Sequence, residues 1–211
     1  MTGLATSDLI RLGSASSGLL LILFLVVHLA GLIPALIAPE LFEAYASSLH
    51  QAAWLPLLEL ALAATALLHI SLTLLKALGN RRAGNTAALA SRRQQPLAAL
   101  AARSTVAAGM ISLGFLVLHL QQLRWPRPRD GGERLALEAV LHNPLNAVVY
   151  SAAALAVALH LVHGSEAAHR SLGWLTPANS RLIRGGGRAM AGLLGVGFLL
   201  ISLSLALSSG S

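Results

Sequence analysis

Five stretches of this chain, at about 13–33, 55–78, 105–123, 146–163 and 189–207, stay apolar over roughly the twenty residues that a helix needs to cross about 30 Å of hydrocarbon. Inside lipid no water satisfies the main chain, so each run has to close its own hydrogen bonds as a helix. Composition agrees, with 55% hydrophobic and only 11% charged residues and a mean hydropathy of +0.70. The pattern predicts an all-α fold: one membrane domain over 1–211, built as a bundle of five transmembrane helices. The fourth run is the shortest, so its polar flanks need protein cover. The first follows a single Arg11, lacks a small-residue cleavage site and reads as a span rather than a secretory signal.

The net charge of +7 would point to nucleic acid in a soluble protein, but the placement of the cations gives a better account. With the N-terminus inside and the C-terminus outside, eleven of the fifteen Lys and Arg residues fall on the cytoplasmic side. Only Arg124, Arg127, Arg129 and Arg134 fall outside, which follows the positive-inside rule. The expected location is the inner, cytoplasmic membrane of a cell, with no nucleic-acid partner. The absence of cysteine excludes disulfides, thiolate-held iron–sulfur clusters and Cys-linked haem in this chain.

Between the spans, Pro34 and Pro39 close the first run and Pro56 suits the first turn of the second. Residues 40–53 form a connector with Glu43, Tyr45 and His50. The basic 79–102 segment is expected to be partly helical. In 124–144, residues 133–142 read as a short surface helix ended by Asn143-Pro144. Gly185, Gly186 and Gly187 are expected to break the chain before the last span.

Four histidines lie inside the apolar runs, at 28, 69, 119 and 160, and both pairs are spaced by 41 residues with an offset of 91. Their surroundings repeat as well: Gly18 then Phe24-Leu25-Val26-Val27-His28-Leu29, and Gly109 then Phe115-Leu116-Val117-Leu118-His119-Leu120. The offset relates spans one and two to spans three and four as a parallel repeat about an axis along the membrane normal. A buried imidazole is costly unless something inside the protein uses it. His28 and His119 fall about 6–8 Å below the outer boundary at 1.5 Å per residue, whereas His69 and His160 fall toward the cytoplasmic side. Depth therefore pairs His28 with His119 and His69 with His160.

Each pair could supply both axial nitrogens of a haem iron. The alternatives are hydrogen-bonded contacts between helices, and zinc, which would need all four at one level. Within the helix, the carbonyls of Phe24, Thr65, Phe115 and Ala156 are candidate acceptors for each Nδ1 proton, leaving Nε2 for metal. Gly18 and Gly109, with Gly114 and Ser17, offer room for a flat ligand or serve ordinary helix packing. His163, one turn after His160, reads as a substitute ligand, a propionate partner or a cap at the membrane edge. His50, His142 and His169 read as solvated.

These features together resemble the dihaem cytochrome b subunit of succinate:quinone oxidoreductases and fumarate reductases. The residues that carry the resemblance are the Phe-Leu-Val-x-His-Leu motif in spans one and three, Asn143-Pro144 followed by Val-Val-Tyr150, and His160-Leu-Val-His163-Gly164 followed by Ser171-Leu-Gly173. The resemblance implies two haem b groups, the distal on His28 and His119 and the proximal on His69 and His160. It implies a flavoprotein subunit and an iron–sulfur subunit on the cytoplasmic face, and exchange of electrons with membrane quinone, menaquinone or ubiquinone. The basic segments 79–102 and 170–188 are the candidate docking surface, or topology signals alone. Quinone chemistry needs a proton-accepting group, and Glu43, His50 and Glu59 are the outer-side candidates. Arg11, Ser14, Ser16, Arg103 and His163 are candidate propionate contacts. Some members carry an acid two residues before the fourth ligand; here that position is Ala158, so that proton route is not expected. The alternatives are the cytochrome b of a hydrogenase or formate dehydrogenase, or a haem-free transporter or scaffold.

Overall fold

A computed structural model of the chain describes residues 2–84, 94–126, 128 and 131–208. Among these residues there are helices and no strands. In chain order they are α1 (Thr2–Leu32), α2 (Pro34–Ile37), α3 (Pro39–Gln51), α4 (Leu55–Arg82), α5 (Pro96–His119), α6 (Glu133–Leu141), α7 (Pro144–Ser171) and α8 (Ser180–Leu207). A π-helical turn, Leu120–Arg124, extends α5. Five segments are long and apolar enough to cross a membrane: α1 with α2, α4, α5 with its π turn, α7 and α8. At 28 residues each, α4, α7 and α8 are about 42 Å long and overrun the hydrocarbon.

Local sequence explains most helix starts. Proline occupies the first turn of α2, α3, α4, α5 and α7, where its missing N–H has no partner to lose. Asn143 caps α7, its side-chain oxygen accepting from the N–H of Leu145 at 2.9 Å. The three glycines at 185–187 do not break the chain: α8 begins at Ser180 and runs through them. Each costs about 1 kcal/mol in a helix, which α7–α8 packing offsets in part. A Cβ on Gly187 would collide with the Ser165 hydroxyl, and one on Gly195 would stand 2.6 Å from that of Ala158, so glycine lets these helices approach closely.

The fourth span gains the cover its flanks require, because Ser165 and Glu166 at its end are buried. Glu166 is paired there with Arg170 and, at 3.3 Å, with Arg184 of α8.

Helix α7 lies at the centre, packed on α5, α8 and α1, while α4 packs chiefly on α1. Leu29, Tyr150, Leu161, Leu194, Ile201 and Leu205 form the main core. The two repeat halves are thus the hairpins α1/α4 and α5/α7, joined mainly through α1 and α7. Among the described residues, α1 and α5 do not form a packed interface, nor do α4 and α7. Helices α3 and α6 pack on each other across one end of the bundle, over a small core of Ala35, Phe42 and Ala46.

Candidate functional site: two histidine pairs

The four span histidines meet between the two pairs of helices that do not pack. His28 of α1 faces His119 of α5 with ring centres 6.0 Å apart, and His69 of α4 faces His160 of α7 at 6.4 Å. The ring planes are nearly perpendicular in both, at 84° and 83°. Helical rise places the 28/119 level close to the α3/α6 end and the 69/160 level roughly 15 Å further along the bundle. Two imidazoles bound from opposite sides of one metal, at about 2.0–2.1 Å per bond, would have ring centres about 6.3 Å apart. Both pairs have that separation.

Their surroundings repeat in register at the 69/160 level. The Nδ1–H of His69 donates to the Ser14 carbonyl at 3.1 Å, and that of His160 donates to the Thr105 carbonyl at 3.1 Å; Ser14 and Thr105 are themselves 91 residues apart. Because a carbonyl only accepts, both rings carry the proton on Nδ1 and the lone pair on Nε2. This corrects the expectation that the carbonyl four residues back takes the proton: the helix uses that group itself, and the acceptor comes from the neighbouring helix. Ser17 adds a second acceptor for His69, its hydroxyl oxygen lying 3.2 Å from Nδ1 while its own proton goes to the Gly13 carbonyl at 2.6 Å.

The glycines repeat in the same way. A Cβ on Gly18 would stand 3.0 Å from Cε1 of His69, and one on Gly109 would stand 3.2 Å from Cε1 of His160. Each glycine therefore seats the histidine ring of the neighbouring helix, a role neither packing nor ligand space had covered.

The 28/119 level is built differently. His28 stacks on Phe24 at 5.4 Å and approaches Phe198 at 6.0 Å; His119 sits by Phe115 at 5.6 Å and Tyr150 at 6.0 Å. Nδ1 of His119 is buried and has no hydrogen-bond partner. Directly after His119 comes the π turn, closed by the Trp125 N–H donating to the Leu120 carbonyl at 3.0 Å. Such turns re-aim side chains. Here Gln122 accepts from the Tyr150 hydroxyl at 3.1 Å and donates to Asn146 at 3.0 Å, while Arg124 holds Glu59 of α4 in a two-point pair at 2.5 and 2.6 Å.

The remaining sequence candidates spread over both ends. Glu43 accepts from the N–H groups of Gly132, Glu133 (3.0 Å) and Arg134 (3.2 Å), so it caps α6 from α3. The left-handed Gly131 and Gly132 (φ +93° and +89°) bring those amides round. Burial pushes the Glu43 carboxyl up, but the amides of Glu133, Arg134 and Gly132 outweigh it and hold the group below the ordinary carboxylate range. His50 Nδ1 lies 2.5 Å from Glu133. All three acid–base candidates, Glu43, His50 and Glu59, are therefore engaged in ties between elements.

At the other end Ser14 is buried and its hydroxyl donates to the Arg11 carbonyl at 3.1 Å. Arg11 is exposed and pairs with Asp8 at 3.2 Å; Ser16 and Arg103 are exposed, and His163 is half-buried. His142 and His169 are bonded rather than merely solvated, to the Ser208 carbonyl at 2.9 Å and the Ser165 carbonyl at 2.8 Å.

The donor sets fit iron in a macrocycle. Among the described residues no three His, Asp or Glu side chains gather into a metal-binding group, and a structural zinc needs four ligands. Two imidazoles, by contrast, complete an iron whose other four nitrogens come from a porphyrin. Compared with known proteins, the chain matches no family model, no curated protein and no solved structure.

Proposed function

We propose that this chain is a dihaem membrane cytochrome b, the anchor subunit of a succinate:quinone oxidoreductase or fumarate reductase. In this reading His28 with His119, and His69 with His160, would each hold one haem b through their imidazole nitrogens. When bound, haem supplies a one-electron iron couple at each level. The observation that carries the reading is the second pair, in which both Nδ1 protons are committed to carbonyls 91 residues apart and both Nε2 lone pairs are left for metal. Contact between helices alone would not need the tautomer to be fixed in duplicate.

The chain's own residues then have distinct tasks. Gly18 and Gly109 seat the rings, and Ser14 and Thr105 orient them. Arg11, Ser14, Ser16, Arg103 and His163 are the groups near which propionates would lie. The cation distribution supports an N-in, C-out orientation in a cytoplasmic membrane. That puts the 69/160 level nearer a cytoplasmic iron–sulfur and flavoprotein partner and the 28/119 level nearer the outer face, where menaquinone or ubiquinone would react. A donor has to be a separate subunit because this chain has no cysteine for a cluster. In this reading a quinone proton would pass through Glu43, His50 or Glu59, each of which is tied elsewhere: Glu43 to three amides, His50 to Glu133 and Glu59 to Arg124.

The test is a reduced-minus-oxidised spectrum of the chain purified from haem-replete membranes. A b-type α-band is expected, and its absence would contradict the proposal.

A further inference from the structure

The four helices that carry the histidines leave one side of their bundle open. The pairs α1–α4, α5–α7 and α1–α7 are packed, and each histidine pair spans a diagonal, so α4 and α5 are the remaining neighbours. Among the described residues these two form no packed interface. The repeat makes that unexpected. Its 91-residue offset carries α1 onto α5 and α4 onto α7, so the α5–α4 seam is the counterpart of the packed α1–α7 seam. The difference is α8, which has no repeat partner and packs on both α1 and α7, clamping one seam from outside. The other seam is crossed near the α3/α6 end by the two-point pair of Glu59 and Arg124, whose sequence counterparts are Tyr150 and Ile33.

The four sides also differ in what opening them would undo. Parting α1 from α7 disrupts the main core around Leu29 and Leu161. Parting α1 from α4, or α5 from α7, unseats His69 or His160 from its glycine and breaks its bond to the Ser14 or Thr105 carbonyl. Parting α4 from α5 undoes an ion pair instead. The Glu59 and Arg124 side chains are 32% and 33% exposed, so water can replace each partner, and such a pair holds far more weakly than a buried one. Helix α4 gives little further resistance, since Leu55 is its one buried residue.

We propose that the α4–α5 side is the lateral door of the bundle, through which a flat, largely apolar tetrapyrrole is admitted to the histidine levels, and that Glu59 and Arg124 are its latch. The π turn after His119 serves the latch by aiming Arg124 at α4. This rests on the dihaem reading above.

The chain has no cysteine, so a pair can be introduced without background. In the full chain purified from haem-replete membranes, Glu59→Cys with Arg124→Cys lets a short bifunctional thiol reagent join α4 to α5. Haem loss to excess apomyoglobin is then followed by absorbance. Before joining, loss should run about two- to fivefold faster than in the wild type, the span expected for a part-exposed ion pair. After joining, it should fall below the wild-type rate. Glu59→Gln should speed loss by the same factor, and the exchanged pair, Glu59→Arg with Arg124→Glu, should bring it back toward wild type. Loss unchanged by joining, or unchanged by Glu59→Gln, would overturn the inference while leaving two haems in the chain. A chain that carries no haem at all would instead defeat the dihaem reading, and the inference with it.

Discussion

The 69/160 and 28/119 levels are made of the same residue type in the same 91-residue register, yet they are held by different forces. At 69/160 the imidazoles are fixed by hydrogen bonds to a neighbouring helix and by glycines beneath their rings. At 28/119 they are fixed by aromatic packing and by a π turn that diverts the helix just after His119. The lesson is that a repeat preserves where a ligand stands before it preserves what orients it. Polar orientation specifies a tautomer; aromatic packing specifies only a position.

The largest effects should come from removing one imidazole at each level. His69→Ala and His160→Ala should each lose the same haem, and His28→Ala and His119→Ala the other, as measured by haem content and α-band shape. The two losses should differ in stability. His69→Ala also deletes an α1–α4 hydrogen bond worth about 1 kcal/mol, so thermal unfolding in detergent should fall further than expected from His28→Ala. Equal losses would remove the distinction between the levels.

A crowding substitution comes next. Gly18→Val and Gly109→Val should push His69 and His160 from their seats at a cost of about 1–3 kcal/mol, disturbing the spectrum of one haem alone. An effect on the 28/119 haem would show that the glycines act through overall packing.

The 28/119 end has its own lever in Glu43. Glu43→Gln weakens the clasp of α3 on α6, and the loss of a charged cap should cost about 1 kcal/mol with both haems retained. Because the folded carboxyl lies below its unfolded value, its contribution is present above the unfolded pKa and disappears as pH falls through the folded one. Wild-type and Glu43→Gln unfolding temperatures should therefore converge in acid; a gap that stayed constant with pH would exclude the charged cap.

The smallest expected effect is that of Ala108→Ser. It offers His160 the second acceptor that His69 already has, and should lower the potential of that level slightly without moving the other.

Much of this was legible in the sequence because it depends on local pattern. The five apolar runs give the helices, the Asn143-Pro144 step gives the cap of α7, and histidine depth gives the pairing that ring distances of 6.0 and 6.4 Å reproduce. What escaped depends on contacts between distant residues. Ser14 is 55 residues from the ring it orients, and Glu43 is 89 from the first amide it caps; no periodicity connects them. The glycines at 185–187 read as a break on propensity, but Gly187 is held in the helix by its approach to Ser165, a tertiary effect that overrides propensity. One signal was available: Gly18 and Gly109 share the histidine offset, so whatever they contact was expected to repeat with it.

The most direct test of the central claim is the ratio of haem to polypeptide in the purified wild-type chain, measured as protohaem extracted per protein. Two histidine pairs of matching separation are expected to hold two haems per chain. A ratio near one, or none in haem-replete membranes, would contradict the account.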